Sequence, residues 1–338
     1  MKKFFKICTS LLLSSVIFVG CSSQKNDDQG AKDNNETPVE KIDINIGSLK
    51  GPTTMGMVKL MEDSEKGETD NNYKVTMTGT ADEIVASMVK GELDVAAVPC
   101  NLASVLYNKM EGQVKVAAIN TLGVLYVVEN GNEIKSIEDL KGKTLYSTGK
   151  GTTPEYILNY ILAENGIDAE RDLAVEYKSE ATEVAALLAE NPNAVAMLPQ
   201  PFVTTAQAKN DKLRVALDMT EEWNKVQGDK GSALVTGVVI ARKEFIEKNQ
   251  QAFDNYLKDY KASTEYANSN VKEAAVLIEK YGIVPAAVAE KAVPLCNITF
   301  IEGDEMKEKV SGYLKVLFEQ NPAAVGGKLH GEDFYYKN

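Results

Sequence analysis

The stretch Gly149-Lys150-Gly151-Thr152-Thr153-Pro154-Glu155 decides the reading of this chain, because it is a polar glycine turn that leaves a strand and opens a helix. It has a counterpart earlier, Lys50-Gly51-Pro52-Thr53-Thr54-Met55, which follows the alternating run Ile42 to Gly47 and precedes the apolar Met57, Val58, Leu60 and Met61. In both, a Thr pair can supply an N-cap hydroxyl, with Pro154 at the first helical position of one and Pro52 just before the other pair. The uncapped N–H groups and the positive end of each helix would then point outward, which suits a carboxylate, sulfonate or phosphate. The two loops are expected to face each other across one cleft.

Outward from these loops the grammar is strand, loop, helix. Tyr73, Val75 and Met77 read as a strand. Thr80-Ala81-Asp82-Glu83 reads as a capping box, and Ile84, Val85, Met88 and Val89 as a helical stripe stopped by Gly91. Leu93 to Val98 is nearly all apolar, as in a strand buried on both faces of a parallel sheet, and Asn101 follows as the cap of a helix to Met110. Strands at 114–120, 122–128, 144–147, 173–177, 194–198, 213–219 and 234–241 alternate with helices, including 154–165, whose face is Ile157, Leu158, Ile161 and Leu162. Thr220 caps a short acidic helix in which Trp223 reads as an amphipathic cover. From Glu244 onward the pattern is helical, with Phe245, Phe253, Tyr256, Leu257 and Tyr260 on one face. This is an α/β chain with two doubly wound runs and a helical tail that needs a sheet to pack on.

The 338 residues suffice for two domains, and a hydrophobic content of 44% with 25% charged residues is that of a globular protein. A formal charge of −12 argues against nucleic acid. Lys2, Lys3 and Lys6, the apolar run Leu11 to Val19 and Phe18-Val19-Gly20-Cys21 read as a bacterial lipoprotein signal (1–20). Cleavage would leave Cys21 as the lipidated N-terminus. The apolar run is too short to span a bilayer comfortably. Residues 21–40, polar and without aromatics, read as a disordered tether on the outer face of a membrane. Of four cysteines only Cys100 and Cys296 then remain, with pairing open. One histidine and no cysteine pairs leave no expected metal or cofactor, and Gly149-Lys150-Gly151 lacks the Ser or Thr of a Walker loop.

Three further stretches carry a resemblance: Gly91-Glu92-Leu93-Asp94-Val95-Ala96, Ser136-Ile137-Glu138-Asp139-Leu140-Lys141-Gly142-Lys143, and Val325-Gly326-Gly327-Lys328-Leu329 with Phe334-Tyr335-Tyr336. Together and in order they resemble the solute-binding lipoproteins of ABC importers, the group of nitrate, taurine, aliphatic-sulfonate and thiamine-precursor binders. The resemblance runs from Lys41 to the end. It implies a two-lobed periplasmic-binding-protein fold of type II, lobe one being 41–120 plus 237–338 and lobe two 122–235, with crossings near Thr121 and Thr236. It implies as partners a small solute and the permease subunits, with a monomer held at the membrane by its lipid.

Four strand-end loops then form the candidate ligand site: Lys50, Gly51, Pro52, Thr53, Thr54 and Met55; Cys100 and Asn101; Lys150, Gly151, Thr152 and Thr153; and Gln200 between two prolines, with Thr236 at the crossing. The threonines and Asn101 read equally as caps, Cys100 as a packing residue or a pocket wall, and Met55 as core or as an adaptable wall. Relatives often carry an acidic residue where Gln200 stands, so recognition of a ligand amine is not expected. No nucleophile, acid and base set is apparent, and His330 is assigned no role. Two other readings stay open: an enzyme on the same fold, of the dehydratase or pyrimidine-synthase kind, and a surface sensor without a permease.

Overall fold

The computed structural model describes residues 41–191, 193–228 and 232–337; the expected signal, Cys21 and the tether lie outside the described residues. Along the chain come β1 (Asp43–Leu49), β2 (Asn72–Thr78), β3 (Val95–Pro99) and β4 (Val114–Thr121), then β5 (Leu125–Glu129), β6 (Thr144–Thr148), β7 (Ala174–Lys178), β8 (Val195–Pro199) and β9 (Arg214–Asp218), and last β10 (Gly237–Arg242) and β11 (Ile298–Ile301). They form two sheets, ordered β11-β4-β10-β3-β1-β2 and β7-β6-β8-β5-β9. The helices are α1 (Pro52–Met55), α2 (Val58–Glu65), α3 (Ala81–Lys90), α4 (Cys100–Lys109), α5 (Thr153–Glu164), α6 (Ala181–Glu190), α7 (Phe202–Lys209), α8 (Met219–Gln227), α9 (Lys243–Lys248), α10 (Gln250–Ser269), α11 (Val271–Lys280), α12 (Ala286–Ala292) and α13 (Gly303–Gln320).

The two sheets repeat one plan. In each, the first, second and third strands of the run pair in parallel, β1 with β2 and β3, and β6 with β7 and β8. The strand that arrives from the other sheet, β10 or β5, is inserted antiparallel between the third strand and the fourth. These inserted strands are the apolar runs Val238 to Ala241 and Leu125 to Val128, buried throughout, whereas edge strands β2 and β7 alternate or stay half-exposed. Period-two alternation splits β3: Ala96 and Val98 join one core, while Val95 and Ala97 face the other with Phe253, Tyr256 and Tyr260 of α10. The first core is continuous across both sheets, taking Val116 and Val238 from one and Val127 and Met197 from the other, with Trp223 and Tyr313 between.

The mixed α/β architecture expected from the strand–helix grammar is present. Four local details differ. Strand β11 was not expected, because four residues after Pro294 and Asn297 give no periodicity to read. Thr80 precedes α3 as predicted, but its hydroxyl donates to the Glu83 carboxylate at 3.1 Å and caps no backbone N–H. The closed capping box is at Ser136 and Asp139. In the predicted stripe Ile84 and Met88 are buried while Val89 is 46% exposed, since a ten-residue helix on a sheet buries a narrow face. The cap of α8 is Asp218, which accepts from Thr220 N–H at 2.8 Å, so Thr220 is inside the helix.

Two surface carboxyls tie distant elements together. Lys280 on α11 and Lys66 donate to Glu62 on α2, and Lys307 and Lys337 to Glu332; each carboxyl is held down to about 2, chiefly by Lys280 and by Lys307. A depressed folded-state value stabilises above the ordinary carboxylate range and loses that contribution as pH falls. The melting-temperature difference between the protein and its Glu62→Gln variant is therefore expected at neutral pH and to close as pH falls from the ordinary value of 4.5 to about 2. A difference that persists at the acid end would assign the effect to packing.

Candidate functional site

The C-terminal ends of β1, β3 and β4 lie at one edge of the first sheet, and those of β6, β8 and β9 at one edge of the second, since each set is parallel. Only residues 122–124 separate β4 from β5, at most about 14 Å of chain, so these edges abut. Ligands of doubly wound sheets sit beyond such ends, where strand order reverses.

On the first sheet, the 50–55 loop turns inward. Gly51, Thr53, Thr54 and Met55 are buried, Pro52 is half-buried and Lys50 is exposed. The threonine hydroxyls do not cap: both donate to the Leu49 carbonyl, at 3.0 and 2.5 Å, and Thr54 also meets the Ser48 hydroxyl at 2.6 Å. Helix α1 is a single turn started by Gly51, so it offers little dipole. Met55 sits in an apolar core with Val58, Ile278 and Cys296, settling it as core. Tyr260 of α10 donates to the Thr53 carbonyl at 3.2 Å. Asn101 lies inside α4, capped by Pro99, which frees its amide: Nδ2 donates to the Ala324 carbonyl at 3.2 Å and Oδ1 accepts from the Thr153 hydroxyl at 3.2 Å.

On the second sheet, Gly149 and Gly151 take φ of 78° and 73°, the left-handed conformation that requires glycine on each side of Lys150. Lys150, Gly151 and Thr152 are exposed and Thr153 is half-buried. Thr152 is the N-cap of α5, which puts Pro154 second and Thr153 first, and its hydroxyl donates to the Gly149 carbonyl at 2.6 Å. The expected outward N–H is already taken: Gly151 N–H donates to the Glu155 carboxylate at 2.5 Å, so the chain's own anion fills the positive end of the helix. The group that meets this loop across the edges is Asn101. Gln200 is buried behind the cis Gln200-Pro201 bond; its Oε1 accepts from Thr204 N–H at 3.3 Å and from Thr204 Oγ1 at 2.9 Å.

The crossings are stitched together. Thr236 N–H donates to the Thr121 carbonyl at 3.0 Å, and Cys100 N–H to the Thr236 carbonyl at 3.1 Å. Leu122 N–H donates to Asn297 C=O at 3.0 Å, Tyr126 Oη to Leu295 C=O at 2.7 Å and Asn321 Nδ2 to Tyr156 Oη at 3.0 Å.

Buried polar atoms without a hydrogen-bond partner include Thr121 Oγ1, Gln200 Nε2, Thr220 Oγ1, Trp223 Nε1 and Ser232 Oγ, while the Asn120 amide lies beside the Tyr260 phenol and the Tyr313 phenol beside Thr153. Native interiors leave few such groups. Trp223 is not the predicted edge cover. It is fully buried between Tyr160 and Tyr313, with ring centroids 5.0 and 5.5 Å away. Burial pushes the Cys100 thiol and the Tyr313 phenol well above their ordinary values, so both stay protonated at neutral pH. Cys100 and Cys296 are free and buried. Single-sequence reading missed Asn120, Thr121, Tyr260 and Tyr313. The first two carried a signal, a polar pair closing an otherwise apolar strand, whereas the tyrosines lie on helices whose faces give no hint of the second sheet. His330 packs in the C-terminal segment, its Nε2 2.7 Å from the Ser104 hydroxyl, and burial lowers its pKa.

Residues 64–291 match the family described as ABC transporter, phosphonate, periplasmic substrate-binding protein. The chain belongs to this family. Among solved structures, this substrate-binding protein is similar to an ABC transporter from Parabacteroides distasonis at 25% identity, with 88% of this chain and 99% of that one covered and a TM-score of 0.73. It shares its fold with the ligand-binding component of an ABC-type import system from Staphylococcus aureus, solved with zinc bound (14%, 88% and 97% covered, TM-score 0.65). It also shares it with the periplasmic aliphatic sulphonate binding protein SsuA from Escherichia coli (16%, 84% and 94% covered, TM-score 0.65). No curated protein matches. The resemblance read from the three motifs therefore holds for family and fold. The described residues of this substrate-binding protein hold no group of three or more His, Cys, Asp or Glu suited to a metal.

Gly237 is where the site admits no side chain: a Cβ there would run into Asn120 Oδ1 and come within 2.8 Å of Thr53 Cγ2 and 3.3 Å of Thr121 Cβ. Gly237→Ala is expected to destabilise by about 1 to 3 kcal/mol in denaturant unfolding through overpacking. Trp223→Ala, which empties a fully enclosed site, is expected to cost about 3 to 5 kcal/mol.

Proposed function

We propose that this chain is an extracytoplasmic solute-binding lipoprotein of an ABC importer, held at the membrane through a lipid on Cys21 and acting as a monomer. Its two lobes, 41–120 with 237–338 and 122–235, close on a small organic solute and present it to the permease. The observation that carries this reading is the family match over residues 64–291, supported by the unpartnered Thr121 Oγ1 and Gln200 Nε2 at the ends of β4 and β8. A solute supplies the missing partners, and its removal leaves groups that each cost about 1 to 3 kcal/mol when dry, which favours an open form without ligand. No reaction is assigned, because the groups that converge are amides, hydroxyls and an indole, none of which is activated as acid, base or nucleophile.

A thermal-shift screen of the purified protein with taurine, alkanesulfonates, methylphosphonate, nitrate, aminopyrimidines and purines tests the binding role. A solute at a hundredfold excess over its Kd is expected to add about 2.7 kcal/mol of stability. Turnover of a solute by the purified protein alone would replace the binding role with an enzymatic one. Labelling of growing cells with radioactive palmitate tests the anchor: the protein is expected to take label and Cys21→Ala to lose it.

A further inference from the structure

We infer that Asn101 and Asn321 form a two-armed clamp on the start of α5, and that this clamp sets how far the two lobes stay closed. It thereby tunes affinity for the solute. The inference rests on the solute-binding reading above. Both arms are aimed by one 3-10 turn, Pro322–Val325, of which Asn321 is the N-cap. The Ala324 carbonyl can only accept, so Asn101 gives it Nδ2 at 3.2 Å and turns Oδ1 the other way, onto the Thr153 hydroxyl at 3.2 Å. The Ala323 N–H can only donate, so Asn321 gives it Oδ1 at 3.0 Å and turns Nδ2 onto the Tyr156 phenol oxygen at 3.0 Å. That oxygen is free to accept, because its own proton goes to the Gly151 carbonyl at 3.0 Å. One arm accepts and the other donates, and the backbone of the turn fixes which way each amide faces.

The gripped surface is one face of α5. Thr153, Tyr156 and Tyr160 follow one another at helical spacing, and Tyr160 packs on Trp223, whose ring also meets Tyr313 of α13. Through Tyr156 the clamp reaches Gly151, in the glycine turn that opens the helix. On the other side the turn is bolted to lobe one. Ser104 Oγ donates to the Val325 carbonyl at 2.6 Å and Asn108 Nδ2 to the Gly326 carbonyl at 3.0 Å, and with Asn101 they lie along one face of α4. The approach is close enough that a Cβ on Gly326 would come within 2.7 Å of Asn108 Nδ2, which accounts for the glycine in the motif Val325 to Leu329. The arms themselves are half-buried, where water can take their place when the lobes part. A protein that is closed for less of the time binds its solute more weakly in proportion.

The test is hydrogen–deuterium exchange of the full chain after dialysis, read by mass spectrometry over residues 149–156, together with acrylamide quenching of Trp223, the one tryptophan in the sequence. Asn321→Ala and Tyr156→Phe are each expected to quicken exchange in that segment by about two- to tenfold and to raise the quenching of Trp223, as α5 parts from α13. The two changes together are expected to add nothing to Tyr156→Phe, which already lacks both bonds of the phenol. Asn321→Ala also uncaps the turn. Thr153→Val leaves the turn intact, removes the other arm and is expected to act in the same direction. A change confined to Asn321→Ala reduces the effect to capping and overturns the inference. Faster exchange with Trp223 still shielded confines the effect to the glycine turn and overturns it too, as does no change in any variant. Each of these outcomes leaves the solute-binding reading intact, since the thermal-shift screen decides that separately.

Discussion

The short first crossing governs this structure. Three residues between β4 and β5 cannot carry the chain far, so the strand ends of one sheet must meet those of the other. The second crossing returns alongside it, and the Thr236 to Thr121 hydrogen bond fixes the two in register. Each crossing then feeds an apolar strand, β5 or β10, antiparallel into the middle of the receiving sheet. Neither sheet is complete without a strand that has just left the other.

That constraint explains why the polar groups of the site are buried. Strand ends normally meet water, but here Asn120 and Thr121 are buried against Gly237, Gln200 is buried with its amide oxygen on Thr204, and Trp223 is wedged between Tyr160 and Tyr313. Flanking bonds from Tyr126 to Leu295 and from Asn321 to Tyr156 hold the edges together on the outside. The same geometry separates this site from the loops that drew attention first. Lys50 and Lys150 stay in water, and the Gly149 loop is closed upon itself by Glu155 and Thr152.

Much of the architecture was legible because its signals are local. The Leu93 to Val98 run, the stripe Ile157, Leu158, Ile161 and Leu162, and glycines at 91 and 166 each report a strand face, a helix face or a stop within a few residues. The motifs carried the family as well. The site was legible only in part. Gln200 and Asn101 were named, but Asn101 first as a cap; its amide instead bonds Thr153 across the two edges, because α4 begins two residues earlier than the sequence implied. Capping by the threonines failed for a related reason: the Leu49 and Gly149 carbonyls lay nearer to their hydroxyls than any free N–H.

By itself the sequence determined the alternation of strands and helices, the glycine turns and many of the buried apolar faces, since these follow from hydrophobic period and backbone conformation. Tertiary structure decided which polar residues lack partners. Whether Asn120, Trp223 or Tyr313 is satisfied depends on groups contributed by distant segments through the crossings, and no spacing along the chain records where two facing edges will meet.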